Sequence, residues 1–513
     1  MTESRGFLIG GEWRTNTDIL DVRFPYTGEV VGRVCLAGSE DVEDALSSAE
    51  RGFSITRRLP AHRRSEILYA LADLIRERAA DLAGTIVLEA GKTRALAESE
   101  VVRARETIEV SAEEARRIDG TILPLDWNAA GEGRIGCLRR FPLGPVLAIT
   151  PFNFPLNLVC HKLGPAIAAG NSVILKPASA TPISSLMLGE MVLDAGFPAE
   201  ALSVVPCRTD LAEWIVRDDR IACVSFTGSS AVGWHLRAIA GRKRVGLELG
   251  GNAAAIVHED ADIPFAVDRI VAGGFSNAGQ TCISVQRVYI HRPIYEEALA
   301  LLVERARALT VGDPRAPKTD VGPMISESAA KTAFAKVEDA IAGGAKALVG
   351  GTRDGPLFKP TVLVETTPDM AVNRTEVFAP VVTVTPYKTF EEALALANDS
   401  EYGLQAGLFT HDSRRIAQAF GHRAGGAEVR DRGDDRRADD DLFAVGDVRR
   451  AEGQELEYRQ VRTELEHRQV RGRSMRKREA FSSFGRLLGF FWKPETVFSK
   501  GTASTGTNFA FFA

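Results

Sequence analysis

The sequence predicts an α/β protein: a doubly wound parallel sheet, a second α/β domain and a small β-hairpin. Three observations predict it. Between about residues 146 and 257, short β-branched runs alternate with stretches of helical periodicity, as in βαβ units whose parallel sheet is covered on both faces. At 513 residues the chain is too long for one core, so more than one domain is expected. Two short extended runs around a Gly-rich turn interrupt the pattern ahead of the sheet.

In chain order, residues 63–118 read as two or three long amphipathic helices. "GTILPLD" and "GRIGCLRRFPLGP" then form the projecting hairpin. The strands of the first sheet are "VLAIT", "SVILK", "LSVV", "ACVSFT" and "RVGLEL", with "AAAIV" following; helices such as "PISSLMLGEMVLDAG" lie between them. After 257, strands near "RVYIHR", "TVLVET" and "VVTVTPY" alternate with helices near "YEEALALLVERARAL" and "TFEEALALAND". The domains are drawn at 1–119 with 141–249, at 120–140 for the hairpin, at 250–425, and at 426–513 for a tail of different character.

Composition narrows the function. The chain is 45% hydrophobic and 26% charged with a net charge of -5, which gives no basic surface for nucleic acid or anionic membrane. No apolar run reaches the roughly 18 residues that span a bilayer, and "MTESRGFLIGGEWR" lacks a secretory h-region. A cytoplasmic protein is expected. Cys35, Cys137, Cys160, Cys207, Cys223 and Cys282 show no C-x-x-C spacing or paired histidine cluster, so neither a metal nor a disulfide framework is expected. Each thiol alone reads as core.

Loops after the strands of a doubly wound sheet are where chemistry belongs. G-x-G-x-x-G is absent there; "ACVSF" runs instead into "TGSSAVGW", where Gly228 and Ser229 open a helix whose N-H groups and dipole suit a diphosphate. "LKPAS" ends a strand with Lys176. "TPFNFPLN" places the Asn153 amide past a strand end, "LELGGN" places Glu248 beside two glycines, and "NAGQTC" places Cys282 after a Gly turn. A thiol, a carboxylate able to activate water and an amide donor for an oxyanion are the parts of covalent catalysis at a carbonyl.

"TPFNFP", "VILKPAS", "FTGSSAVG", "LELGGN", "NAGQTC" and "EVFAP", in this order, resemble the NAD(P)-dependent aldehyde dehydrogenases over about residues 5–425. The resemblance implies a dinucleotide-binding domain, a catalytic domain and an oligomerisation hairpin, and an assembly of two or four copies. It implies that Cys282 attacks a small aldehyde, that its backbone N-H and Asn153 hold the oxyanion, and that Glu248 activates water to release a free acid. A CoA-acylating relative commonly lacks that glutamate. For the cofactor, NAD or NADP, it implies Lys176 at the adenosine ribose, Gly228 and Ser229 at the pyrophosphate, and Glu376 at the nicotinamide ribose with Phe378 nearby. Many NAD-preferring members carry a glutamate where this chain has Ser179, so NADP is expected to be accepted.

Substrate is less legible. Thr281 stands where some relatives acting on phosphorylated aldehydes carry arginine, and His161 lies on a helix face that lines the family's substrate tunnel. "GQTCISVQR" and "KPAS" look like branches acting on small polar aldehydes and semialdehydes.

Beyond "AFGHRAGGAEV" the family's funnel-closing loop and final strand are not recognisable. Residues 426–513 are rich in Arg, Asp and Glu before an aromatic end, and are expected to be disordered or poorly packed. Arg, Gly, Ala and Asp are what out-of-frame GC-rich codons yield, so a change of reading frame near 425 is the first reading; a genuine divergent tail is the other. A hairpin without its partner strand would not complete the usual dimer, and an inactive or binding-only product stands as the alternative function.

Overall fold

The computed structural model describes residues 4–421 and 492–500. The first sheet has seven strands in the spatial order Arg244–Glu248, Cys223–Thr227, Val146–Ile149, Val173–Lys176, Leu202–Val204, Phe7–Ile9, Glu12–Arg14. The first five run parallel, and the last two pairings, of Phe7–Ile9 with Leu202–Val204 and with Glu12–Arg14, are antiparallel. The order reverses between Val146–Ile149 and Cys223–Thr227, so the loops leaving their carboxyl ends flank a crevice, the place where such sheets take ligands. Val146–Ile149 and Cys223–Thr227 are buried at every residue, which is why they read as continuous apolar runs.

The second sheet runs Lys346–Val349, Thr361–Val364, Val381–Tyr387, Val285–His291, Ala253–Val257, Ala406–Phe409. All pairs are parallel except the first. Each sheet has its own buried core, one from Phe7 to Ala240 and one from Ala255 to Val384, with a small cluster around Tyr387 and Phe390 beside the second. The helical region resolves into three helices, Ala61–Glu77, Ala79–Ala90 and Arg94–Ala115. Among the described residues no helix is long and apolar enough to cross a membrane.

Thr121–Pro124 and Arg134–Pro142 form the expected hairpin. The expectation that it lacks a third strand is corrected: Trp492–Lys500 pairs antiparallel along the whole of Arg134–Pro142. Trp492, Thr496, Val497 and Phe498 are strand-favouring residue types, and the far side of Arg134–Pro142 offers the unpaired edge that the segment fills. Pro494 lies on an edge strand, the place in a sheet to which proline is confined. The expectations of disorder, poor packing and a changed frame for the rest of 426–513 fall outside the described residues.

Candidate active site

Four of the six cysteines, at 35, 160, 207 and 223, are buried. Cys137 is exposed, and Cys282 alone is half-buried. Cys282 follows a turn in which Asn277, Ala278 and Gly279 are all left-handed, at φ 53°, 53° and 68°. For the first two this conformation costs about 1–3 kcal/mol each, so neighbours must impose it. They do. Asn277 Nδ2 donates to the carbonyls of Asn153 and Gln280, both at 3.3 Å; Gln280 Nε2 donates to Asn277 O at 3.1 Å, and Gln280 Oε1 accepts from the Ile325 N-H at 2.8 Å. The result aims the backbone N-H groups of Cys282 and Ile283 at the cysteine's own sulfur. Burial nevertheless pushes the thiol up to about 11, helped by the charges of Glu248 and Glu376, while those two N-H groups pull the other way.

Asn153 is 5% exposed, and its Nδ2 donates to Gln280 O at 2.9 Å, which ties it to the cysteine turn. An amide nitrogen has two hydrogens, so one donor remains for a reacting oxygen. The Asn153 loop is held from beneath. Glu100, on Arg94–Ala115, accepts from the Leu156 and Asn157 N-H groups, each at 3.0 Å, at the start of the helix Asn157–Ala168. That carboxylate also meets Lys92 Nζ at 2.5 Å with both side chains fully buried, and Lys92 Nζ lies 3.7 Å from the centre of the Phe154 ring.

Glu248 ends its strand and is exposed. Behind it Lys162 is 2% exposed and donates to Ser225 Oγ at 3.1 Å and Thr227 Oγ1 at 2.8 Å. Burial brings its pKa down to about 8, against the opposing pull of Glu248. The two glycines of "LELGGN" are explained by crowding: a Cβ on Gly251 would meet Cys282 O at 2.0 Å, and one on Gly250 would meet Glu376 Oε2 at 2.2 Å.

On the cofactor side, Lys176 ends the strand beside the switch point, half-buried, with its pKa lowered by burial. Ser179 sits exposed in the next turn. Ser229 is the N-cap of the helix Ser230–Ile239, its side chain makes no capping bond, and it is exposed. Gly228 donates to Glu248 O at 3.0 Å, and a Cβ there would strike the Phe226 ring at 2.5 Å. An uncapped helix N-terminus at the switch point fits a dinucleotide diphosphate. Glu376 accepts from the Gly251 N-H at 2.9 Å, and burial raises its pKa. Phe378, left-handed at φ 53°, packs edge-on against Phe152 with ring centres 6.0 Å apart.

Two charged side chains at this site lie outside the sequence motifs. Lys162, with His161, interrupts an otherwise apolar run, "VCHKLGPAIAA", which is the trace a buried lysine leaves. Arg103 is exposed on the long helix with its guanidinium 5.7 Å from the centre of the Phe154 ring. His161, half-buried on the facing helix, has its pKa pushed down to about 4 by burial and by Arg103 and Lys162.

A dinucleotide crevice at a switch point, facing a strained turn that presents a thiol, defines a dehydrogenase acting on carbonyl substrates. The sequence model of the aldehyde dehydrogenase family matches residues 13–434, somewhat further than the motifs reach. The chain belongs to the aldehyde dehydrogenase family, whose members here are NAD(P)-dependent enzymes. It is 43% identical over 408 residues to 3-sulfolactaldehyde dehydrogenase of Priestia aryabhattai, covering 79% of this chain and 85% of that one. The crystal structure of aldehyde dehydrogenase 21 from Physcomitrella patens with the reaction product succinate matches at a TM-score of 0.86 and 32% identity, over 98% of this chain and 99% of that one. NADP-dependent glyceraldehyde-3-phosphate dehydrogenase from Bacillus halodurans, complexed with NADP, matches at 0.84 and 30%, over 97% and 100%.

Proposed function

We propose that this chain oxidises a small aldehyde carrying an acidic group to the free carboxylic acid, with NAD or NADP, in the cytoplasm. The carrying observation is the joining of Asn153 to the Cys282 turn through Gln280 O at 2.9 Å, beside Glu248. The Cys282 thiol gives its proton to solvent water as Sγ bonds to the aldehyde carbon, and the oxygen's developing charge is held by the second Asn153 N-H and the backbone N-H of Cys282. NAD(P)+, when bound, supplies the hydride acceptor. Glu248 then takes a proton from the water that attacks the thioester, freeing the acid and restoring the thiol. Lys176, Ser179, Gly228 and Ser229 bind the adenosine and diphosphate, and Glu376 with Phe378 seats the nicotinamide ribose. Ser179, exposed and neutral, admits a 2'-phosphate.

The test is Glu248→Gln in the full chain, assayed with a four-carbon semialdehyde bearing a terminal carboxylate. It is expected to give one equivalent of NAD(P)H per active site in a burst, followed by turnover slowed by about a hundredfold or more, within the range of general-base contributions. A wild type whose turnover requires CoA would establish acyl transfer to CoA instead. A wild type that makes no NAD(P)H with either cofactor would overturn the reading in favour of an inactive product.

The acidic tail of the substrate is assigned to Arg103 and His161. The placement of Arg103 beside Phe154 and its charge felt at His161 support it, as do the sulfonate, carboxylate and phosphate in the names of the similar proteins above. Arg103→Met is expected to raise KM for the semialdehyde by about tenfold to a hundredfold, the worth of one charge-assisted hydrogen bond, and to leave KM for propanal unchanged. Equal losses for both aldehydes would sink the assignment. The exposed Ile122, Trp127 and Ile135 on the hairpin, now backed by a third strand, support its role in assembly of two or four copies.

A further inference from the structure

His258, Glu259 and His291 lie at the opposite pole of the second sheet from Cys282. His258 directly follows the strand Ala253–Val257, and His291 ends the neighbouring parallel strand Val285–His291. Cys282 precedes that second strand, so about 20 Å of extended chain separates it from His291. One donor atom from each of the three residues lies within 4.8 Å of the other two.

Each ring already has one nitrogen engaged. His291 Nε2 lies 3.0 Å from the carbonyl of Lys388, which can only accept, so the proton is on Nε2 and Nδ1 carries a lone pair. His258 Nδ1 lies 2.6 Å from Tyr387 Oη, and that hydroxyl donates to Val257 O at 3.3 Å. That hydroxyl therefore occupies Nδ1, the shorter of its two contacts, and leaves Nε2 as the free ring nitrogen of His258. Both of these remaining nitrogens, His258 Nε2 and His291 Nδ1, are buried without a hydrogen-bond partner, and His258 as a whole is 2% exposed. What faces them is the Glu259 carboxylate, at 3.8 Å and 3.5 Å, itself only an acceptor. Neither nitrogen makes a hydrogen bond to it.

Two buried ring nitrogens without a partner lie beside a half-exposed carboxylate that can supply a third ligand atom. We propose that His258, Glu259 and His291 bind a divalent transition-metal ion of the zinc class, at a site separate from the reaction centre. Two imidazoles and one carboxylate form a known zinc ligand set that leaves a fourth position for water. Glu259, 48% exposed, gives that position and the ion's entry path access to solvent. The far nitrogen of each ring is already held by a carbonyl or by a hydroxyl, the outer support that ligating histidines commonly have. Donors on one tetrahedral zinc sit about 3.4 Å apart, so the separations need to shorten by little more than an ångström. The rings stack with planes 9° apart and centres 4.4 Å apart, so binding would turn the half-buried His291 out of the stack to aim its lone pair at the ion while the half-exposed Glu259 rotates toward it. Of the other charges nearby, Asp260 is already engaged by Thr410 and the His411 N-H, and Arg415 is held by Asp412 at 3.1 Å. The ion would join the ends of two adjacent strands, a structural part that makes no demand on the reaction.

The full chain, stripped with chelator, is titrated with Co2+ and separately with Zn2+. One equivalent of Co2+ is expected to bind with visible ligand-field bands and no thiolate charge-transfer band, which separates this site from Cys282 and Cys137. Glu259→Gln and His291→Gln are each expected to weaken that equivalent by at least about tenfold, and Zn2+ is expected to raise Tm in the wild type and not in the variants. Glu259→Gln supplies an amide donor to the two bare nitrogens, so its metal-free Tm should not fall, which separates lost ligation from lost folding. A wild type that takes up no equivalent at micromolar metal would overturn the proposal, as would an equivalent that persists unchanged in both variants.

Discussion

Cys282→Ser is expected to abolish aldehyde oxidation, lowering kcat/KM by a factor on the order of 10^4 or more, as loss of a covalent nucleophile does. The surroundings make serine a poor replacement. Burial and the charges of Glu248 and Glu376 already hold the thiol up at about 11, and they would hold a far less acidic hydroxyl fully protonated. The same values set a pH dependence for the wild type. A thiol with a pKa near 11 is mostly protonated at neutral pH, and its thiolate fraction grows about tenfold per unit as pH rises from about 7 to 10. Alkylation of the cofactor-free enzyme by iodoacetamide should accelerate in proportion and be absent at position 282 in the variant. Activity in Cys282→Ser within tenfold of the wild type would remove Cys282 from the reaction, and alkylation of Cys282 without loss of activity would do the same.

What the sequence revealed of this site is local. "NAGQTC" and "LELGGN" are legible because their glycines answer to crowding and strain within a few residues, and the alternation from 146 to 257 is legible because strands buried on both faces must be continuously apolar. Cys282 could be separated from five other thiols only by its company, and the structure separates it by exposure. Glu100 and Arg103 left no readable trace, because on the helix Arg94–Ala115 they look like surface charges and acquire meaning only against Phe154 and the helix start at Asn157. His258 and His291 likewise become neighbours only when parallel strands pair. The strand Trp492–Lys500 was hidden for a different reason: its partner edge lies hundreds of residues away, and nothing within the segment states that the edge exists. Binary patterning reports burial; it does not report which distant surface does the burying.

Glu100→Ala is expected to destabilise the protein by about 3–5 kcal/mol, the cost of removing one partner from a buried ion pair. Three groups lose their acceptor at once. Lys92, 1% exposed, keeps a charge or loses a proton with no partner within the core, and the N-H groups of Leu156 and Asn157 are left bare at a helix start that has no side-chain cap of its own. The same helix start carries the Asn153 loop, so the defect should reach the reaction: displacement of about 1 Å at a reacting group can cost on the order of a hundredfold in rate. Urea denaturation measures the first effect and kcat at saturating aldehyde the second. A control separates charge from capping. In Lys92→Met with Glu100→Gln the unpaired charge is gone while a carbonyl remains for the two N-H groups, so most of the lost stability should return. If Glu100→Ala unfolds within about 1 kcal/mol of the wild type, the buried pair is not what holds this loop. If the double variant is no better than Glu100→Ala, the cost lies in the packing around Phe154 and not in the unpaired ammonium.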